Sequence, residues 1–267
     1  VYVANYLSKI HIKKLKFKDS IIPLWTPVIF ILLLILPSNF STVIIIFISV
    51  ILLAFLAGYP LKYLSIIITF SLICFVFFIL IAKSYPELIP NRIDTWISRI
   101  DNFSSSTESG SESYQVERAK IAISTGEIFG LGAGKSVMKN FLPQSSSDFI
   151  YAIIVEEYGL IGGAFVIILY LLLLFRILVV SYKAKSFFGK LITISVGLPI
   201  IIQAFLNIGV AVNIFPVTGQ TLPLISSGGT SVWMTCISFG IILSVSSFYL
   251  NDEKNMVNIE ENKYSEQ

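Results

Sequence analysis

The chain has 267 residues, 55% of them hydrophobic and 13% charged, and a mean hydropathy of +0.83. Soluble domains carry roughly twice that share of charge, so the composition excludes a water-soluble domain and implies an integral membrane protein. A net charge of +3, with no basic stripe interleaved with aromatics, excludes a nucleic-acid binder.

The first residue is Val1 and no signal peptide is present, so the chain reads as a fragment whose start lies upstream. Residues 1–7 read as the end of a helix. Lys9, Lys13, Lys14, Lys16 and Lys18 follow, with one acid, Asp19. His11, the single histidine, lies among them and reads as a solvated surface residue, since it cannot build a metal site alone. Six apolar spans come next, at about 20–37, 41–58, 63–82, 149–181, 187–212 and 229–249. Crossing a bilayer takes ~20 helical residues, and barrel-strand alternation is absent, so all six are expected to be helices. Cys74 and Cys236 lie inside these spans and read as small core residues. The tail after residue 249 mixes charge signs and is expected to be disordered.

Orientation follows from lysine and arginine in the loops. The first loop, Lys62, and Arg176, Lys183, Lys185 and Lys190 make one side strongly basic. On the other side, loop 83–147 balances seven bases with seven acids, and loop 213–228 has no charge. The basic side is therefore cytoplasmic, and the large loop is extracytoplasmic. Within that loop, 104–113 reads as a flexible tip, flanked by helical stretches at 92–103 and 114–125. The segment GEIFGLGAGKS (126–136) ends like a phosphate-binding P-loop, but Phe129 stands where the motif needs glycine. Its glycines are expected instead to allow close backbone approach in a tight re-entrant turn.

Asp148 stands where a polar loop becomes a membrane helix. An acid at such a junction is costly unless it is used or satisfied. The alternative reading is a helix N-cap. A capping box would want Glu or Gln at position 151, where Tyr151 stands. Gln203 and Asn207 are four apart and share one helix face in the fifth span. They either line a cavity or bond between helices. The uncharged loop NIFPVTGQTLPLISSGGTS (213–231) is irregular and apolar, which requires surrounding protein or a water-filled cavity. An outward-opening cavity, roofed by this loop and the Asp148 junction, is expected.

These residues resemble the SEDS family of membrane proteins (FtsW, RodA and SpoVE) over nearly the whole chain. The resemblance is carried by RIDTWISRIDNF (92–103), Tyr114-Gln115 and GLGAGKS (130–136). Its most specific pieces are Leu142-Pro with SDFI (147–150) and EEYGLIG (156–162), together with FPVTGQTLPLISSGG (215–229). Thr221 before Leu-Pro resembles the FtsW branch, active in division. The chain departs from the family's Gln-Pro-Asp-Leu-Gly-Thr at 37–42, where Asn39 replaces the acid.

The resemblance implies an all-α polytopic membrane protein: six transmembrane helices of a ten-helix SEDS bundle with a large extracytoplasmic loop. Residues 1–249 would form a single transmembrane domain and 250–267 a cytoplasmic tail. Both ends of the chain would be cytoplasmic, with an extracytoplasmic active site in the bacterial plasma membrane. The implied activity is a peptidoglycan glycosyltransferase that polymerises lipid II during division. Asp148 would be the catalytic base, acting on the 4-hydroxyl of GlcNAc. Arg92, Arg99, Lys135 and Lys139 are candidates to meet the diphosphate, against the reading that they are ordinary loop charges. Gln115, Gln203, Asn207 and Ser226 are further substrate-binding candidates. On a continuous helix Glu156 lies roughly 12 Å beyond Asp148, outside the ~5–9.5 Å of paired glycosidase carboxylates. Glu156 and Glu157 therefore read as structural or gating groups. The sequence requires no cofactor and leaves a divalent cation open. The implied partners are lipid II, membrane lipid, a class B penicillin-binding protein and other division proteins. A lipid II flippase and a non-catalytic division scaffold are the rival readings.

Overall fold

The computed structural model describes residues 1–12, 20–84, 111–142 and 145–265. Among the described residues every regular element is helical. The helix expected at 92–103 lies outside them, as do Arg92 and Arg99. Helix α1 is Tyr2–Ile12, and α2 is Ile21–Ile35, opening with a π-helical turn, Ile21–Trp25. Then come α3 (Phe40–Leu56), α4 (Leu61–Ser84), α5 (Ser111–Thr125), a 3-10 turn (Met138–Asn140), α6 (Ile150–Lys183), α7 (Phe187–Ala211) and α8 (Gly229–Ser265). Helix α5 thus begins inside the segment expected to be a flexible tip.

Among the described residues, three helices are long and apolar enough to cross a membrane: α6, α7 and Gly229–Phe248 of α8. Helix α2, helix α3 and the stretch Leu61–Phe77 of α4 are apolar but shorter. The tail expected to be disordered instead continues α8 to Ser265. Extending an existing helix needs no new nucleus, so a polar sequence can follow it for several turns.

The centre of the bundle is α7, which packs against α1, α3, α5, α6 and α8. One core joins α5, α6, α7 and α8 to the loops through Leu142, Phe149 and Leu222, all nearly fully buried. A second core joins α1, α2 and α3 to the first half of α7, around Leu24, Leu53 and Leu191. Close α6–α7 approach depends on Gly197, where an added Cβ would lie 2.8 Å from the Ile177 side chain. Tyr59 fastens the α3–α4 turn to α2: its hydroxyl meets Ser20 Oγ at 2.6 Å and accepts from Trp25 Nε1 at 3.4 Å.

Cys74 and Cys236 are exposed, not in the core as expected. Helix α4 packs chiefly on α3, which leaves most of its circumference uncovered. Cysteine behaves as a small apolar residue, so an outward position in an apolar span costs little.

Helix α6 is broken at Gly159, whose φ of 69° and ψ of −172° lie in a region that essentially only glycine occupies. The break frees main-chain groups inside an apolar helix, where each needs a partner. The glycine-rich segment supplies them. Leu131 N donates to Glu156 O (3.0 Å) and Gly132 N to Glu157 O (2.9 Å). In return, Leu160 N donates to Glu127 O (2.9 Å) and Ile161 N to Ile128 O (3.3 Å). A Cβ at Gly126 would overlap the Val155 carbonyl, and one at Gly130 the Glu157 carbonyl. The would-be phosphate loop is therefore a splice into a broken helix.

Candidate functional site

Asp148 is half-buried, in the turn that leads into α6. The N-cap position of α6 falls one residue later, on Phe149, so the cap reading of Asp148 misplaces the helix start. The buried Phe149 ring anchors that start in the core. The Asp148 carboxylate faces the loop between α7 and α8, where a Cβ on Gly219 would lie 3.7 Å from Oδ2. Gly219 has φ +67°, the left-handed region that glycine adopts freely. Its φ is what calls for glycine there, since a Cβ at that distance would make only ordinary contact.

Three consecutive carbonyls hold this turn in place. Ser146 O accepts from Ser227 N and Ser227 Oγ, both at 3.0 Å. Ser147 O accepts from Ser226 Oγ at 2.5 Å. Asp148 O accepts from Asn207 Nδ2 at 2.7 Å. Ser226 Oγ also accepts from Leu222 N at 2.7 Å, which folds its own loop into a compact turn. The hydroxyl of Tyr170 on α6 donates to Pro223 O. Leu224 follows with φ +69°, a conformation costly for a residue with a Cβ.

Asn207 is 1% exposed and donates a second bond to Gln220 O at 2.7 Å. Gln203, one turn earlier, donates to Thr221 O (2.9 Å) and Thr221 Oγ1 (3.3 Å). The two amides expected to line a cavity or bond between helices instead bond the two loops above α7. Gln220 Nε2 reaches α3, donating to Asn39 Oδ1 (3.3 Å) and Thr42 Oγ1 (3.2 Å). Asn39 is the N-cap of α3 and accepts from Thr42 N at 3.1 Å. Buried polar groups are generally hydrogen-bonded, and the amide nitrogens here all are, while the buried Asn207 Oδ1 has no partner among the described residues.

Of the residues named from sequence, Asp148, Gln203, Asn207 and Ser226 come together here. Gln115 is half-buried on α5. Lys135 and Lys139 are exposed on the segment before the Asp148 turn. Ser145 Oγ donates to Lys139 O at 3.1 Å, which ties Lys139 to that turn. Gln220 and Asn39 were not singled out as site residues. Their signals were in the sequence: Asn39 at the departure from the family pattern and just before a helix, Gln220 inside FPVTGQTLPLISSGG (215–229). Among the described residues, no three His, Cys, Asp or Glu side chains gather as a protein-built metal site would require.

A helical bundle with membrane-length apolar helices, capped by two interlocked polar loops around an acid, defines a polytopic membrane protein with its candidate site at one face. Residues 1–250 match the FtsW/RodA/SpoVE family, described as cell cycle proteins, and the chain belongs to that family. A probable peptidoglycan glycosyltransferase FtsW of Hydrogenovibrio crunogenus is 33% identical over 250 residues, covering 92% of this chain and 62% of that protein. One from Bacillus subtilis, with the same description, is 33% identical over 254 residues, again 92% of this chain and 62% of the relative. The chain thus spans less than two thirds of the length of these relatives. A chain in the solved structure of a peptidoglycan synthase complex superposes with a TM-score of 0.67 at 22% identity. That match covers 92% of this chain and 66% of the other, and is a likeness of fold.

Proposed function

We propose that this chain carries the catalytic carboxylate of a peptidoglycan glycosyltransferase that polymerises lipid II during division. The observation that carries the reading is the mounting of Asp148. Its main chain is locked by Asn207 from below, while its carboxylate faces the left-handed Gly219. A general base must be held in a fixed position relative to the proton it takes.

In the proposed reaction Asp148 takes the proton of the acceptor GlcNAc 4-hydroxyl. The alkoxide-like oxygen attacks the anomeric carbon of the donor sugar and forms the new glycosidic bond with inversion. The bond to the lipid diphosphate breaks, and its electron pair leaves with the diphosphate. That group departs without strong protonation, so one carboxylate suffices. Lys135 and Lys139, with Arg92 and Arg99, are the cations proposed to meet the diphosphate. A divalent cation arriving with the diphosphate would reinforce them.

The finer topology belongs to the same proposal. The apolar helices would be six spans of a ten-helix bundle in the bacterial plasma membrane. Both chain ends would be cytoplasmic, and the Asp148 face extracytoplasmic. A class B penicillin-binding protein is the proposed partner, in keeping with the synthase complex that shares the fold. The use of Gln203 and Asn207 to fasten loops supports a fixed catalytic site over a transport path. The test is a purified full-length protein given lipid II in vesicles. Polymer formation supports the transferase; flipping without polymer would favour a flippase, and neither activity a scaffold.

A further inference from the structure

Taking Asp148 as the base of that reaction, we propose that Glu156 is a positioning residue for it. Its buried carboxylate clamps the start of the strap, residues 136–142, that leads to the Asp148 turn, and so sets where Asp148 is held. Glu156 is 0% exposed, inside the apolar core of α6. A carboxylate there is expensive, and an apolar residue would pack the site at lower cost. The structure shows what the acid does instead. Oε2 accepts from Ser136 Oγ at 2.5 Å, and Oε1 accepts from Val137 N (3.0 Å) and Met138 N (3.2 Å). Ser136 Oγ in turn accepts from Lys139 N at 3.1 Å. One side chain thus gathers the opening residues of the strap.

From that clamp the strap is bonded stepwise to the site. Phe141 N and Leu142 N donate to Met138 O, and Ser145 N donates to Leu142 O. Ser145 Oγ returns to Lys139 O. Then come the three carbonyls of Ser146, Ser147 and Asp148, each held from the α7 side. The strap is therefore tied to α6 at Glu156 and to the Asp148 turn through Ser145, which bonds both Leu142 O and Lys139 O. Asn207, Ser226 and Ser227 fix its far end; Glu156 fixes its near end. Releasing the near end lets Lys139 and the approach to Asp148 wander while the core of α6 stays packed. Small misplacement of a catalytic group is costly, ~100-fold for ~1 Å.

The test uses the full-length protein with lipid II, comparing Glu156→Gln, Ser136→Ala and their combination. A nitroxide on Asn140→Cys, with native cysteines replaced, reports strap motion independently of activity. The glutamine keeps an acceptor but cannot serve all three donors. We expect kcat to fall about 10–100-fold with KM held within about twofold. The melting temperature should stay within a few degrees, and the nitroxide should become more mobile. The double variant should lose no more than the worse single one, because both act on one clamp. Unchanged kcat, a change confined to KM, or a nitroxide as ordered as in the parent would each overturn the proposal. If the parent itself makes no polymer, the transferase reading fails separately, and the nitroxide alone decides whether Glu156 holds the strap.

Discussion

Asn207 on α7 and Asp148 at the mouth of α6 are 59 residues apart in sequence and joined by one hydrogen bond of 2.7 Å. The bond runs from a side-chain amide to a main-chain carbonyl, so it fixes the backbone of Asp148. The same nitrogen also holds Gln220 O, which makes Asn207 the point where both loops meet the bundle. Replacing it with Asp supplies no donor and sets a negative charge against two carbonyls. Asn207→Asp should cost about 2–4 kcal/mol of stability, from two buried acceptors left unsatisfied. Thermal unfolding in detergent measures the loss. Ser226→Ala releases the neighbouring carbonyl of Ser147, so the two variants combined should be non-additive by roughly 0.5 kcal/mol or more.

Asn39 stands where the family pattern has an acid, and the structure uses it only as an acceptor. Its Oδ1 takes Thr42 N and Gln220 Nε2. A carboxylate accepts the same two bonds. Asn39→Asp should therefore leave polymer formation near the parent level. Asn39→Ala should lose about 1 kcal/mol from the missing cap and release Gln220 from α3. A polymerisation assay beside a melting curve separates the two variants.

Gly159 and Gly126 lie on either side of the splice in α6. A Cβ on Gly159 would overlap the Ile128 carbonyl, and its φ is unsuited to any side chain. Gly159→Ala and Gly126→Ala should each cost about 3 kcal/mol or more. The control is Gly240→Ala on α8, where a Cβ meets nothing within 4 Å. That change should be neutral or raise stability by up to ~1 kcal/mol, since alanine favours helix over glycine. Folded yield after extraction, followed by thermal unfolding, ranks the three.

Much of this was legible in the chain, because hydropathy marks apolar helices and the motif residues cluster around Asp148. The re-entrant role of 126–134 was also legible, since Phe129 breaks the phosphate-loop pattern and glycines allow close approach. What they approach was not. The break at Gly159 sits inside a single expected helical span, 149–181, and hydropathy does not register a change of φ. The partners of Glu156 lie 18 to 20 residues earlier, and that pairing exists only once the strap has turned back onto the helix. Gln203 and Asn207 show the limit from another side. Spacing placed them on one helix face, but topology decided that the face met loops. Cys74 and the tail beyond residue 249 were misread because local composition does not say which faces are covered or how far a helix propagates.

The central claim is that Asp148 abstracts the acceptor proton. Lipid II polymerisation by the purified full-length protein carrying Asp148→Asn measures it most directly, read as glycan chain formed per enzyme, with the melting temperature taken on the same sample. The amide is nearly isosteric but is not a base. The account predicts loss of roughly 100-fold or more in kcat with melting unchanged. Polymer formation by Asp148→Asn within a few-fold of the parent would contradict it.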